Sequence, residues 1–91
     1  MNTMLSKSIT VENRLGLHAR AAAKLVRLTT TFNCSVTLVY GDKSVNAKSI
    51  LGLLMLAAPM GSQVEIQVEG PDAEEALEKV EALFHNRFEE E

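Results

Sequence analysis

The stretch "NRLGLHARAAAKLV" (13–26) holds the residues best suited to chemistry. His18 offers a ring nitrogen, Arg20 a fork of donors, and Gly16 a sharp turn just ahead of both. The alanine-rich run from Ala19 predicts a helix that opens at His18. A helix N-terminus carries the positive end of the backbone dipole and unpaired N–H groups, so it favours Asp, Glu, Ser or Thr. Imidazole and guanidinium suit that place poorly unless the site is built to receive an anion, which free N–H groups and an arginine fork would hold. The positive helix end also disfavours imidazolium and so favours the neutral, nucleophilic ring. A histidine with only a structural role has no reason to sit there beside an arginine.

The elements around this stretch read plainly. Ile9 and Val11 alternate with polar residues over 6–13, predicting a strand. A helix follows from Ala19 to about Thr31, with Ala22, Leu25, Val26 and Thr29 on one face and Leu28 and Phe32 extending it. Lys24 and Arg27 fall on another face. Lys24 reads as a solvated cation, whereas Arg27 lies two turns beyond Arg20. Residues 34–40 predict a strand with Val36, Leu38 and Tyr40 on one face and Ser35, Thr37 and Val39 on the other, and "GDK" with "SVNA" completes a hairpin. Residues 49–59 predict a short helix stopped by Pro59 and Gly61. Val64, Ile66 and Val68 alternate in a strand over 62–70. The last helix, 71–88, starts at Pro71 and Asp72, buries Ala76, Leu77, Val80, Leu83 and Phe84, and leaves a frayed acidic tail.

This order, β-α-β-β-α-β-α, predicts an α+β fold: an open-faced β-sandwich with split βαβ connections. A four-stranded antiparallel sheet is covered on one face by three helices, within one domain spanning 1–91. The chain has 91 residues, 46% apolar and 23% charged, with net charge −3. That acidic balance and only four aromatic residues, the sum of one Tyr and three Phe, argue against nucleic-acid binding. Cys34 is the one cysteine, expected to be a small buried thiol, and His18 and His85 have no metal-ligand spacing. His85 is assigned no chemistry, and no metal or cofactor is expected. The start lacks the apolar run of a signal peptide and no segment has transmembrane length, so we expect a cytoplasmic protein without membrane insertion.

The motifs "NRLGLHARAAAKLV" and "KSVNAKSILGLLMLAA" (43–58), with the final strand and helix, resemble the histidine-containing phosphocarrier (HPr) family of the bacterial phosphotransferase system. The resemblance runs from Ile9 to about Phe88. It implies a phosphoryl carrier, itself not an enzyme: His18 is phosphorylated through Nδ1 and Arg20 helps to hold the group. Enzyme I, charged by phosphoenolpyruvate, is the implied donor, and sugar-specific A components are the acceptors. One departure stands out, since Ala21 occupies a place where the family usually has proline. Proline in a first turn fixes φ at no hydrogen-bond cost, and alanine keeps the helix with a less rigid site.

By the same resemblance Ser49 is the residue that an HPr kinase/phosphorylase modifies in some bacteria, placing charge on the docking surface and changing contacts with regulators. Serine is also an excellent helix N-cap and needs no other reason to be there. The short helix is more apolar than one buried face requires. Leu53 and Leu56 are expected inward and Ile50, Leu51 and Leu54 outward beside His18, as a partner-docking patch with Arg27 and Arg20 facing acidic partner surfaces. A monomer is expected. Two other readings remain: a nitrogen-branch (NPr-like) carrier serving a regulatory relay without sugar import, and a regulatory binding domain that transfers nothing.

Overall fold

Period-two alternation builds the sheet. In β4 (Gln63–Gly70) Val64, Ile66 and Val68 are buried and the residues between them are not. β4 pairs antiparallel with β1 (Thr3–Thr10) on one side and β2 (Ser35–Tyr40) on the other, and β3 (Lys43–Asn46) closes the far edge, giving the order β1-β4-β2-β3. The register sets apolar residues opposite one another: Ile9 faces Val64, Val36 faces Val68, and Leu38 faces both Ile66 and Val45. Such same-face pairs fix register, because a one-residue slip would turn every one of them to the wrong side. β1 and β2 flank β4, and β3 and β4 flank β2, so both βαβ units are split. The structure is a computed structural model and describes residues 3–90.

Three helices cover one face: α1 (Ala19–Thr29), α2 (Ile50–Leu56) and α3 (Ala73–His85). Phe84, Phe88, Leu25, Leu38, Leu53, Leu56 and Ile66 are fully buried between helices and sheet. No helix among the described residues is long and apolar enough to cross a membrane, and among them no group of three or more side chains is arranged to hold a metal ion. Cys34 is buried. Burial pushes its thiol pKa up, and the neighbouring Asp72 carboxylate adds to the effect.

The element order and layers are as the sequence predicts, and the boundaries move for local reasons. β1 runs from Thr3 to Thr10 rather than over 6–13. Val11 leaves the ladder, donating to Ser62 O (2.9 Å) and accepting from Gly61 N–H (2.8 Å). α1 stops at Thr29, not Thr31, because the hydroxyls of Thr30 and Thr31 bond the carbonyls of Val26 (2.9 Å) and Leu28 (2.7 Å). α2 ends at Leu56, three residues short of Pro59. Ala57 turns left-handed (φ 53°), and a residue before proline, here Ala58, is disfavoured in the helical region. α3 ends at His85 rather than 88. Arg87–Glu89 instead form a tight 3-10 turn. Asp72 stands at the start of α3 as expected, yet its carboxylate accepts from Asn33 N–H (2.8 Å) instead of capping its own helix.

Candidate functional site

His18 is the N-cap of α1, with φ −80° and ψ 179°, and no side chain caps the helix. The first bond of the helix runs from Ala22 N–H to His18 O (2.8 Å), so the N–H groups of Ala19, Arg20 and Ala21 have no acceptor within the helix. No acidic residue occupies the first turn. The sequence reading of an uncapped, positive helix end therefore holds as geometry.

The loop before His18 is fastened from two directions. Asn13 is buried, its Nδ2 donates to Gly16 O (2.6 Å), and its carbonyl accepts from Gly16 N–H (3.1 Å). Leu17 is buried and donates its N–H to Ala58 O (3.0 Å), which ties the loop to the end of α2. Gly16 is left-handed (φ +64°), and a Cβ there would lie 2.5 Å from Ala58 O and 2.9 Å from Pro59 Cα. Only glycine meets both demands. Asn13 was not singled out by the sequence.

Arg20 is exposed and makes no hydrogen bond or ion pair among the described residues. It lines an open cleft with His18, Arg14, Leu15 and Lys24. The cleft therefore gathers three cations around the helix end, of which sequence reasoning gave only Arg20 a chemical role, together with the carboxylates of Glu89 and Glu90. Arg27 is exposed too but lines the neighbouring groove between α1 and α3. Ser49 caps α2, its Oγ accepting from Gly52 N–H at 3.0 Å. It sits at the far end of that helix from Ala58, so about 10 Å of helix separates it from the loop that carries His18. Leu53 and Leu56 point into the core, while Ile50, Leu51 and Leu54 are exposed. Leu15, Met55 and Met60 are exposed as well, and none of them was placed in the docking patch from sequence.

Two expectations about the tail and Lys24 need correction. Glu90 does not fray: its Oε2 is in direct hydrogen-bond contact with His18 Nε2, and its Oε1 accepts from Asn13 Nδ2 (3.3 Å). Lys24 is not merely solvated, since Nζ donates to Phe88 O (2.8 Å) and lies 3.4 Å from Glu89. Glu91 lies outside the described residues.

Arg87, Phe88 and Glu89 all have positive φ (54°, 54° and 63°), which costs non-glycine residues together about 3–6 kcal/mol. Burial of Phe88 contributes about 1.5–3 kcal/mol. Its edge-to-face contact with Phe84, at 4.8 Å between centroids, adds about 0.5–1.5 kcal/mol. The charged hydrogen bond from Lys24 supplies about 1.5–3 kcal/mol. The anchors just balance the strain, so the turn depends on each of them. Partial desolvation would raise the pKa of Glu90, but hydrogen bonds from His18 and Asn13 and the nearby charge of Lys24 hold it below its ordinary value.

Comparison with known proteins shows the family and the fold. A family model described as "PTS HPr component phosphorylation site" matches residues 5–86. The phosphocarrier protein HPr of Treponema pallidum is 48% identical over 88 residues, covering 97% of this chain and all of the relative. The phosphocarrier protein NPr of Shewanella violacea is 44% identical over 88 residues, covering 97% of each. A crystal structure of HPr from Thermoanaerobacter tengcongensis superposes with a TM-score of 0.92 at 37% identity, over 96% of this chain and 98% of that one.

Proposed function

Because the chain belongs to the HPr family of phosphocarrier proteins and is a phosphoryl carrier rather than an enzyme, we propose that His18 is the residue that carries the group. The observation that supports this most is His18 at an uncapped helix N-terminus in a cleft that it shares with Arg20. Nδ1 takes no hydrogen bond from any described residue and is free to act as the nucleophile. Its lone pair attacks phosphorus on a phosphohistidine of enzyme I, itself charged by phosphoenolpyruvate. The donor's P–N bond breaks as the new one forms, and transfer to a sugar-specific A component reverses these roles. Because so little covalent work falls to the protein, positioning and charge carry the step. The N–H groups of residues 19–21 and the guanidinium of Arg20 meet the phosphoryl oxygens.

Partners dock over the apolar face of Ile50, Leu51 and Leu54, extended by Leu15 beside His18, with Arg20 and Arg27 facing acidic partner surfaces. Phosphorylation of Ser49 by a dedicated kinase would place charge beside this face, at a helix N-terminus that favours it. The carrier works as a monomer in this reading. The test is intact mass after incubation with enzyme I, Mg²⁺ and phosphoenolpyruvate, beside His18→Ala. One acid-labile phosphoryl group in the parent chain and none in the variant is expected, and equal labelling of both would refute the assignment. A parallel arm with an enzyme I of the nitrogen branch separates the sugar relay from the regulatory one: faster labelling by that donor would overturn the sugar-branch reading.

A further inference from the structure

The last turn of the chain does something that a loose acidic tail would not. Three consecutive left-handed residues reverse the backbone after α3. Phe88 is locked in the core and Lys24 holds its carbonyl, so Glu90 is delivered to the ring of His18. Asn13, which also braces Gly16, holds the second carboxylate oxygen. Both carboxylate oxygens are therefore engaged by the site loop. An ionised carboxylate only accepts hydrogen bonds, so Nε2 carries the hydrogen, and in the neutral ring Nδ1 is left with its lone pair.

Resting on the reading that His18 is the phosphoryl acceptor, we propose that Glu90 is its positioning residue. It fixes the tautomer that leaves Nδ1 bare, and it stabilises the positive ring formed when Nδ1 takes the group. The balance is simple. The Nδ1 lone pair makes the new P–N bond, the electron pair of the broken bond returns to the donor nitrogen, and the Nε2 hydrogen stays on His18. The ring gains positive charge in that step, and the carboxylate at Nε2 is already in place to meet it without reorganisation. A partner that orients a working histidine through its other nitrogen is a general device, and where the histidine binds a metal its removal typically costs about 10–100-fold. A tail anchored only for stability would need Phe88 and Lys24, but not a carboxylate on the imidazole.

The test uses the full chain, Glu90→Ala and Glu90→Gln, with His18→Ala as control. Long-range proton–nitrogen spectra of His18 report the tautomer without any transfer reaction. The parent chain is expected to show the Nε2–H form alone and Glu90→Ala a mixture, whereas Glu90→Gln, with one acceptor oxygen for two donors, should recover the single form only in part. Labelling rate by phosphorylated enzyme I should fall roughly 10-fold in Glu90→Ala. Glu90→Gln should fall between, because it keeps the hydrogen bond and loses the charge. If His18 is labelled but either the tautomer or the rate is unchanged in Glu90→Ala, the role of Glu90 is overturned and the carrier reading stands. If His18 takes no label in the parent chain, both fall together.

Discussion

Replacing Gly16 by alanine should cost much more than the same change at Gly41, and the difference isolates what positions the site loop. The two glycines share nearly the same backbone, φ +64° and +62°. A Cβ at Gly41 meets nothing within 4 Å, whereas one at Gly16 meets Ala58 O at 2.5 Å and Pro59 Cα at 2.9 Å. Gly41→Ala therefore bears only the left-handed penalty, about 1–2 kcal/mol. Gly16→Ala adds overpacking against backbone that no rotamer change relieves, a further 1–3 kcal/mol or about that. The entropy that alanine removes from the unfolded chain is common to both and cancels. For a domain of this size the expected drops in Tm are about 5–10 °C for Gly41→Ala and roughly 10–25 °C for Gly16→Ala. Thermal unfolding followed by circular dichroism measures both. Phosphoryl transfer should also fall in Gly16→Ala alone, because relief of the clash moves Leu17 away from Ala58 and shifts His18 with it. Equal losses of Tm in the two variants would refute the claim that close packing of Gly16 on the end of α2 sets the loop.

Other variants test the remaining parts. Arg87 is exposed and left-handed, so Arg87→Gly should stabilise the chain by about 1 kcal/mol, read as a rise of roughly 4–8 °C in Tm; no rise would mean that the turn is not strained. Ser49→Ala removes the bond to Gly52 N–H from a seven-residue helix and should cost about 0.5–2 kcal/mol, while Ser49→Asp retains most of the cap and lets denaturant unfolding separate capping from charge. The pKa of Asp72 is lowered, chiefly by the N–H of Asn33, so its contribution is fully present above the unfolded value and is lost as pH falls through the folded one. Asp72→Asn should therefore flatten the acid side of the stability curve below about pH 4 and leave its shape at neutral pH unchanged, as followed by denaturant midpoints.

How far the sequence could be read depends on the kind of signal. Alternation in β4, the helical stripe ending at Phe84 and the apolar excess of α2 are local patterns, and the sheet, its covered face and the exposure of Ile50, Leu51 and Leu54 follow from them. His18 and Arg20 were legible because they break the rule for a helix N-terminus. Lys24 and Glu90 were not, since their roles exist only once residues 64 or 72 positions apart in the chain meet. The left-handed turn had no sequence signal either: Arg87, Phe88 and Glu89 are ordinary in a right-handed helix, and burial of Phe88 overrides that preference. The early stop of α1 lay in the three threonines, whose hydroxyls compete for helix carbonyls more strongly than their propensity alone suggests.

The most direct test of the central claim is phosphorus and nitrogen NMR of the chain after phosphorylation by enzyme I and phosphoenolpyruvate, with nitrogen-labelled histidine. Coupling between phosphorus and Nδ1 of His18, with the hydrogen retained on Nε2, is the result predicted here. Phosphorus on Nε2, on His85 or on a serine would contradict it.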